Sequence, residues 1–66
     1  MIGTRIRELR YERGLSQSAL AKQIGVSQKA VDYWERNVNE PKASYIVLLA
    51  DFFCVSADYL LCRTEM

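Results

Sequence analysis

Residues 17–36 read QSALAKQIGVSQKAVDYWER and contain two short helical patterns separated by Gly25-Val26-Ser27. A glycine at position 25 permits the positive φ that a tight turn between two helices requires. The hydroxyl of Ser27 can then accept a hydrogen bond from a backbone N–H and so begin the second helix. Apolar residues recur at helical spacing on both sides of the turn, as expected where two helices share a core. These residues are Leu20, Ala21, Ile24, Val26, Val31 and Trp34.

Two helices follow from this pattern, over residues 17–24 and 28–36. Each is barely two turns long, so neither is expected to persist without tertiary packing. Ala21 is small at the point where the two helices would approach most closely. The sequence therefore predicts a helix-turn-helix.

A further helix is predicted upstream of this unit. Ile2, Ile6 and Leu9 recur at the spacing of one helical stripe, and arginine and glutamate occupy the other side. Gly14 then ends the pattern, as a glycine just past the last turn usually does. The expected helix covers residues 2–13.

Two more helices are predicted downstream, over residues 43–53 and 56–62, the second capped by Ser56. The valine, isoleucine and aromatic residues of 45–55 would also suit a buried strand. However, no second strand-like run exists to pair with it, and a lone strand leaves its backbone groups unpaired. The sequence therefore predicts an all-α fold, a compact five-helix bundle that forms one domain over residues 1–66.

Composition excludes several classes of function. The chain has 66 residues, half of them apolar, which suits one small folded domain better than a disordered segment. No apolar run approaches the roughly 18 residues of a membrane span, and the charged N-terminus is unlike a signal peptide, so a cytoplasmic protein is expected. The chain has no histidine, no glycine-rich phosphate loop and no carboxylate cluster with metal-ligand spacing. We therefore expect no enzyme, no metal and no small-molecule cofactor.

The two cysteines, Cys54 and Cys62, lie in no C-x-x-C pair and have no histidine to complete a zinc site. Reduced, partly buried thiols are expected of them, because cytosolic proteins rarely keep disulfides.

Charge is distributed unevenly along the chain, although the net value is only +1. Residues 1–31 hold six Arg and Lys against two Glu, a net charge of +4, whereas residues 32–66 have a net charge of −3. Such polarity can steer one face of a domain toward a polyanion.

Short sets of residues follow one another along the chain in a characteristic order. They are Ile6-Arg7-Glu8-Leu9-Arg10, Gly14-Leu15-Ser16-Gln17, Leu20-Ala21, Ile24-Gly25-Val26-Ser27-Gln28, Val31, Trp34-Glu35-Arg36, Pro41, Ala50 and Val55-Ser56. A chain with this order resembles the Cro/C1-type helix-turn-helix domains of phage repressors and bacterial regulators over essentially its whole length. The resemblance implies a lambda-repressor-like domain that binds double-stranded DNA sequence-specifically, with its third helix in the major groove, as a transcriptional regulator and most typically a repressor.

The resemblance assigns base contacts to the third helix. It implies that Gln28 pairs with adenine N6 and N7, and that Lys29 contacts guanine or a phosphate. Tyr33 would touch a thymine methyl or a backbone oxygen. Asp32 would accept a hydrogen bond from cytosine N4.

Four residues are expected to contact DNA phosphates. Gln17 and Ser27 stand at the starts of the two short helices, where phosphates bind readily. Arg10 is expected to lie near a phosphate, although the resemblance also implies that it pairs with Glu35 as a structural ion pair. Lys42 adds a positive charge near the expected path of the DNA phosphates.

The sequence departs from the family pattern at three positions. Asn37 replaces a glycine and keeps the left-handed conformation available. Cys54 replaces a glycine or asparagine, which predicts a strained or rebuilt helix end. Lys42 replaces the usual serine cap of the fourth helix.

The last two helices carry more apolar residues than one small core requires. The surplus consists of Tyr45, Leu48, Phe52, Tyr59 and Leu61. We expect a homodimer interface at Phe52, Tyr59 and Leu61, which would present two third helices to a near-palindromic operator with half-sites about 34 Å apart. Alternatively, these side chains only cover the edge of the core.

A second class of function remains open from the sequence. The domain could be a protein-interaction module, as in small antitoxins or adaptors that keep this fold. The apolar surplus would then be the binding surface and the third helix would be incidental. Salt-dependent binding to duplex DNA separates the two hypotheses.

Overall fold

In a computed structural model that describes residues 1–63, the chain folds into α-helices without strands. Within this range the elements are α1 (Ile2–Glu12), α2 (Gln17–Ile24), α3 (Gln28–Glu35), α4 (Ala43–Phe53) and α5 (Ala57–Leu60). The predicted all-α fold with five helices is confirmed, and the bounds of α2 and α4 match the prediction. Over residues 1–63, no helix combines the length and the hydropathy that a membrane span requires.

Three helices are shorter than predicted. Arg13 and Arg36 are the C-caps of α1 and α3 and not their last helical residues. The last helix ends at Leu60, because the chain turns there and Cys62 adopts a left-handed conformation with a φ of 63°.

Serine caps fix where three of the helices begin. The hydroxyl oxygens of Ser16, Ser27 and Ser56 accept hydrogen bonds of 3.0–3.1 Å from the backbone N–H groups three residues later. Each cap stabilises its helix by about 1 kcal/mol, since it satisfies a donor that has no partner inside the helix. Lys42 is the N-cap of α4 and makes no such bond.

The backbone adopts a left-handed conformation just after several of the helices. The φ of Gly25 is 86° in the turn between α2 and α3, and Asn37 keeps the left-handed conformation with a φ of 59°. Cys54 adopts the same conformation with a φ of 58°, which is strained for a residue that carries a Cβ. Both cysteines are free and exposed, and the expectation of partly buried thiols was wrong because each lies at a turn on the surface.

The helices pack around a single core. α1 contacts α3 and α5, α2 contacts α3 and α4, and α4 contacts α5. Every helix contributes buried apolar side chains, and this burial is the main source of stability. The buried set is Ile2, Ile6, Leu9, Leu20, Ala21, Ile24, Val31, Trp34, Leu49, Ala50, Phe53 and Leu60.

The first turn of α1 lies close to the end of α3 at Gly3. A Cβ at this position would overlap the carbonyl oxygen of Trp34 and lie 2.6 Å from Oδ1 of Asn37. The backbone N–H of Gly3 instead donates a hydrogen bond of 3.2 Å to that Oδ1. The left-handed end of α3 is therefore joined directly to the first turn of α1.

Candidate nucleic-acid interface

The four predicted base-reading residues lie on one side of α3. Gln28 and Lys29 are exposed, and Asp32 and Tyr33 follow one turn later and are half-buried. The opposite side of the helix is buried in the core through Val31 and Trp34, as predicted. The orientation of α3 is therefore fixed by packing, and its polar side faces solvent.

Two cationic side chains lie close to the ring of Tyr33. Nζ of Lys29 is 5.9 Å from the centre of the ring, and the guanidinium of Arg36 is 5.4 Å away. Both distances are within the range of cation–π attraction. Arg36 is exposed and adds a positive charge to this surface, a position that the sequence analysis did not include among the candidate contacts.

Gln17 of α2 connects the exposed side of α3 to its buried end. Its Oε1 accepts a hydrogen bond of 2.5 Å from Nε2 of Gln28. Its Nε2 donates to Oε1 of Glu35 at 3.1 Å and to Oδ1 of Asp32 at 3.3 Å. The other oxygen of Asp32 accepts from Nε of Arg36 at 3.0 Å.

Arg10 and Glu35 form a buried two-pronged ion pair between α1 and the end of α3. Nε and Nη2 of Arg10 donate to the Glu35 carboxylate at 2.6 and 2.9 Å, and Nη1 donates to the carbonyl of Leu15 at 2.9 Å. The two side chains are 8% and 0% exposed. The ion pair between Arg10 and Glu35 that the resemblance implied is therefore present. The phosphate contact expected of Arg10 stays a prediction, and in the structure its guanidinium is buried and donates to Glu35 and Leu15.

The ion pair shifts the pKa of both partners. Hydrogen bonding to Glu35 raises the pKa of Arg10 further above its usual range. Burial alone would raise the pKa of Glu35, but the hydrogen bonds from Arg10 and Gln17 and the charges of Arg10 and Arg7 outweigh it. The pKa of Glu35 therefore lies below its ordinary value of 4.5.

This shift predicts a loss of stability in acid. Because Glu35 is more acidic in the folded state than in the unfolded chain, its stabilising contribution is complete above pH 4.5 and is lost as the pH falls through the lower folded-state pKa. Urea unfolding between pH 7 and pH 3 measures this loss. The Glu35→Gln variant is expected to show a shallower decline over the same range, and a decline parallel to that of the wild type would assign the effect to other carboxylates.

Three other residues are predicted to contact phosphates, and each has a donor that faces solvent or lies at the start of a helix. They are Ser27, Gln17 and Lys42. The oxygen of Ser27 accepts the cap bond from Ala30, which leaves its own hydroxyl proton available. Both amide hydrogens of Gln17 have partners inside the protein, so its backbone N–H, in the first turn of α2, is the group left for an anion. Lys42 is exposed at the start of α4.

The predicted dimer surface is partly covered by the chain itself. The guanidinium of Arg5 lies 4.0 Å above the ring of Tyr59, and that of Arg13 lies 5.3 Å from the ring of Phe52. Both aromatic side chains are half-buried, whereas Leu61 is 37% exposed. Further apolar surface is exposed on α4, where Val47 is 56% and Leu48 is 45% exposed.

Comparison with known proteins supplies relatives along most of the chain. A family model described as Helix-turn-helix matches residues 6–60. Repressor protein C2 of Salmonella phage P22 is 39% identical over 61 residues, which cover 92% of this chain and 28% of the repressor. The chain thus spans less than a third of this relative's length.

Solved structures match the whole arrangement of helices. The P22 c2 repressor in complex with a synthetic operator superposes with a TM-score of 0.91 at 38% identity, over 97% of both chains. The DNA complex of SinR, a master regulator of biofilm formation from Bacillus subtilis, superposes with a TM-score of 0.84 at 35% identity, over 92% of this chain and 98% of SinR. Because the family model spans most of the sequence and these folds coincide, the chain belongs to the Cro/C1-type helix-turn-helix family.

Proposed function

We propose that this chain binds double-stranded DNA in a sequence-specific manner and acts as a cytoplasmic transcriptional regulator, with repression as the expected role. The observation that carries the proposal is the polar, solvent-facing side of α3, held in place by a buried opposite side. The matching solved domains of the P22 c2 repressor and SinR are complexes with an operator and with DNA, which supports the same use here.

In the proposed complex α3 enters the major groove, which has the width of a helix. Gln28 reads adenine, and Lys29 and Tyr33 contact the neighbouring bases or the backbone. Ser27, the backbone N–H of Gln17 and Lys42 hold phosphates on either side, which sets the register without reading sequence.

Replacing Gln28 with alanine is expected to relax the preference for one base pair. A two-pronged amide–adenine pair contributes about 1–3 kcal/mol of discrimination, which is about 5- to 150-fold. Selection of bound sequences from a random duplex pool, by the wild type and the variant, measures the change position by position. Gln23→Ala is the matched control, because Gln23 is an exposed glutamine of α2 outside the proposed interface, and it should leave the selected motif unchanged. If Gln28→Ala selects the wild-type motif unaltered, Gln28 is not a base reader.

We further propose that the domain acts as a homodimer on a near-palindromic operator. The exposed side chains of Leu48 and Leu61 support an interface on the α4–α5 side, with Phe52 and Tyr59 at its edge. Two third helices would then meet half-sites about 34 Å apart. A symmetric selected motif and a two-to-one complex in sedimentation are expected, and a monomer both free and on the operator would contradict the proposal.

The same exposed apolar residues favour a second candidate function, a protein-interaction module. The two candidates differ in their response to salt. For a DNA-binding domain, the logarithm of the affinity falls linearly with the logarithm of the salt concentration. The slope is about −0.9 for each phosphate that the protein neutralises. No measurable preference for any duplex, even at low salt, would favour the protein-interaction module.

A further inference from the structure

We infer that Asp32 and Glu35 are positioning residues that fix the orientation of the Gln28 amide by acting through Gln17. The inference rests on the proposed function, since it concerns how the base-reading side chain is presented to DNA. It also replaces the expectation that Asp32 itself reads cytosine. Three hydrogen bonds between the side chains of α2 and α3 carry it.

The direction of each hydrogen bond is set by the chemistry of the two groups that it joins. A carboxylate can only accept, whereas a glutamine amide donates through Nε2 and accepts through Oε1. Because Nε2 of Gln17 faces two carboxylates, at 3.1 Å from Glu35 and 3.3 Å from Asp32, the amide cannot be reversed without placing oxygen against oxygen. Its Oε1 is therefore held toward Gln28.

The fixed orientation of the Gln17 amide in turn fixes that of Gln28. Since Oε1 of Gln17 can only accept, Gln28 must turn its Nε2 toward it, and the two atoms are 2.5 Å apart. One N–H and the Oε1 of Gln28 then remain for a ligand, side by side and in a fixed order. This order matches adenine, which offers an acceptor at N7 and a donor at N6. Guanine offers two acceptors at the corresponding positions and would leave an oxygen of Gln28 unpaired.

The two carboxylates that hold Gln17 are themselves held in place. Glu35 is fully buried and is held by Arg10 at 2.6 and 2.9 Å, so its position is set by the core. Asp32 is held on its other side by Arg36 at 3.0 Å. The exposed amide of Gln28 is thus connected to the interior of the domain by fixed groups.

A purely electrostatic role of Asp32 predicts a different behaviour. A carboxylate near DNA repels phosphates, and its removal would then raise affinity for every duplex by the same factor. Loss of a positioning group instead lowers the ratio of affinities between the preferred duplex and the same duplex altered at one base pair. The ratio therefore separates the two roles.

The experiment uses Asp32→Ala, Gln17→Ala and the double variant, with Asp51→Ala as a charge-matched control on the exposed side of α4. The altered base pair is the one whose preference Gln28→Ala removes. Asp32→Ala is expected to lower the affinity ratio about 2- to 10-fold, the range that corresponds to one net hydrogen bond. Gln17→Ala is expected to lower it at least as much, and the double variant no further, because Asp32 acts only through Gln17.

Three results would overturn the inference while leaving the proposed function intact. In the first, Asp32→Ala raises affinity for both duplexes and leaves the ratio unchanged. In the second, it lowers the ratio equally with and without Gln17. In the third, it relaxes the preference at a different base pair, which would make Asp32 a direct base reader. A wild-type protein without any preference among duplexes would instead refute the proposed function itself.

Discussion

Replacing Glu35 with alanine is expected to lower the free energy of unfolding by about 3–5 kcal/mol, because it leaves the buried guanidinium of Arg10 without its carboxylate. Arg10 is 8% exposed and donates two of its hydrogen bonds to Glu35. A folded chain of this size has a total stability of roughly 3–10 kcal/mol. The variant should therefore lose about a third or more of the stability of the domain, and with a total at the lower end of that range it is largely unfolded at room temperature.

Urea unfolding followed by circular dichroism measures the effect, and a paired replacement shows its origin. The double variant Arg10→Met/Glu35→Leu removes both charges and is expected to recover most of the loss, since apolar residues of similar size tolerate such sites. The control Asp51→Ala removes an exposed acid and should change stability by no more than about 0.5 kcal/mol. A loss below about 1 kcal/mol in Glu35→Ala would mean that the pair does not hold α1 to α3.

The second large effect is expected at Gly3. Alanine for glycine inside a helix ordinarily stabilises by about 0.5–1 kcal/mol. At Gly3 the sign should reverse, with a loss of about 1–3 kcal/mol, because the new Cβ would overlap the carbonyl oxygen of Trp34 and crowd Asn37. To make room, α1 would have to move away from α3 and weaken the hydrogen bond from Gly3 to Asn37.

Thermal or urea unfolding of Gly3→Ala tests this change of sign. Thr4→Ala is the neighbouring control, since Thr4 is exposed on the same helix and its replacement should have an effect within about 0.5 kcal/mol. An unchanged or higher stability of Gly3→Ala would show that the two helices are farther apart than the structure has them.

The fold could be predicted because its main determinants are local. Ser27 caps α3, Gly25 adopts a positive φ, and the apolar spacing of α1 and α2 identifies their buried sides. The early end of α5 could not be predicted, because it depends on a left-handed conformation at Cys62. Cysteine, unlike glycine, gives no signal for that conformation.

Contacts between distant residues account for what the sequence did not reveal. Gly3 looked like an ordinary residue of the first helix, and its requirement arises from the end of α3, 34 positions away along the chain. Pairing with Glu35 was expected for Arg10, but the depth of its burial depends on how α1 packs. The side of α3 that faces solvent was predicted correctly. The hydrogen bonds that join it to Gln17 were not, since they require the three-dimensional arrangement of two helices.

The hydrogen bond between Gln17 and Gln28 has a consequence for attempts to retarget the domain. A new side chain at position 28 would contact a base and would also lie beside Oε1 of Gln17, which accepts a hydrogen bond. Side chains that carry an N–H, such as arginine or asparagine, can satisfy that oxygen, whereas glutamate would place acceptor against acceptor. Libraries for altered specificity should therefore vary positions 17 and 28 together.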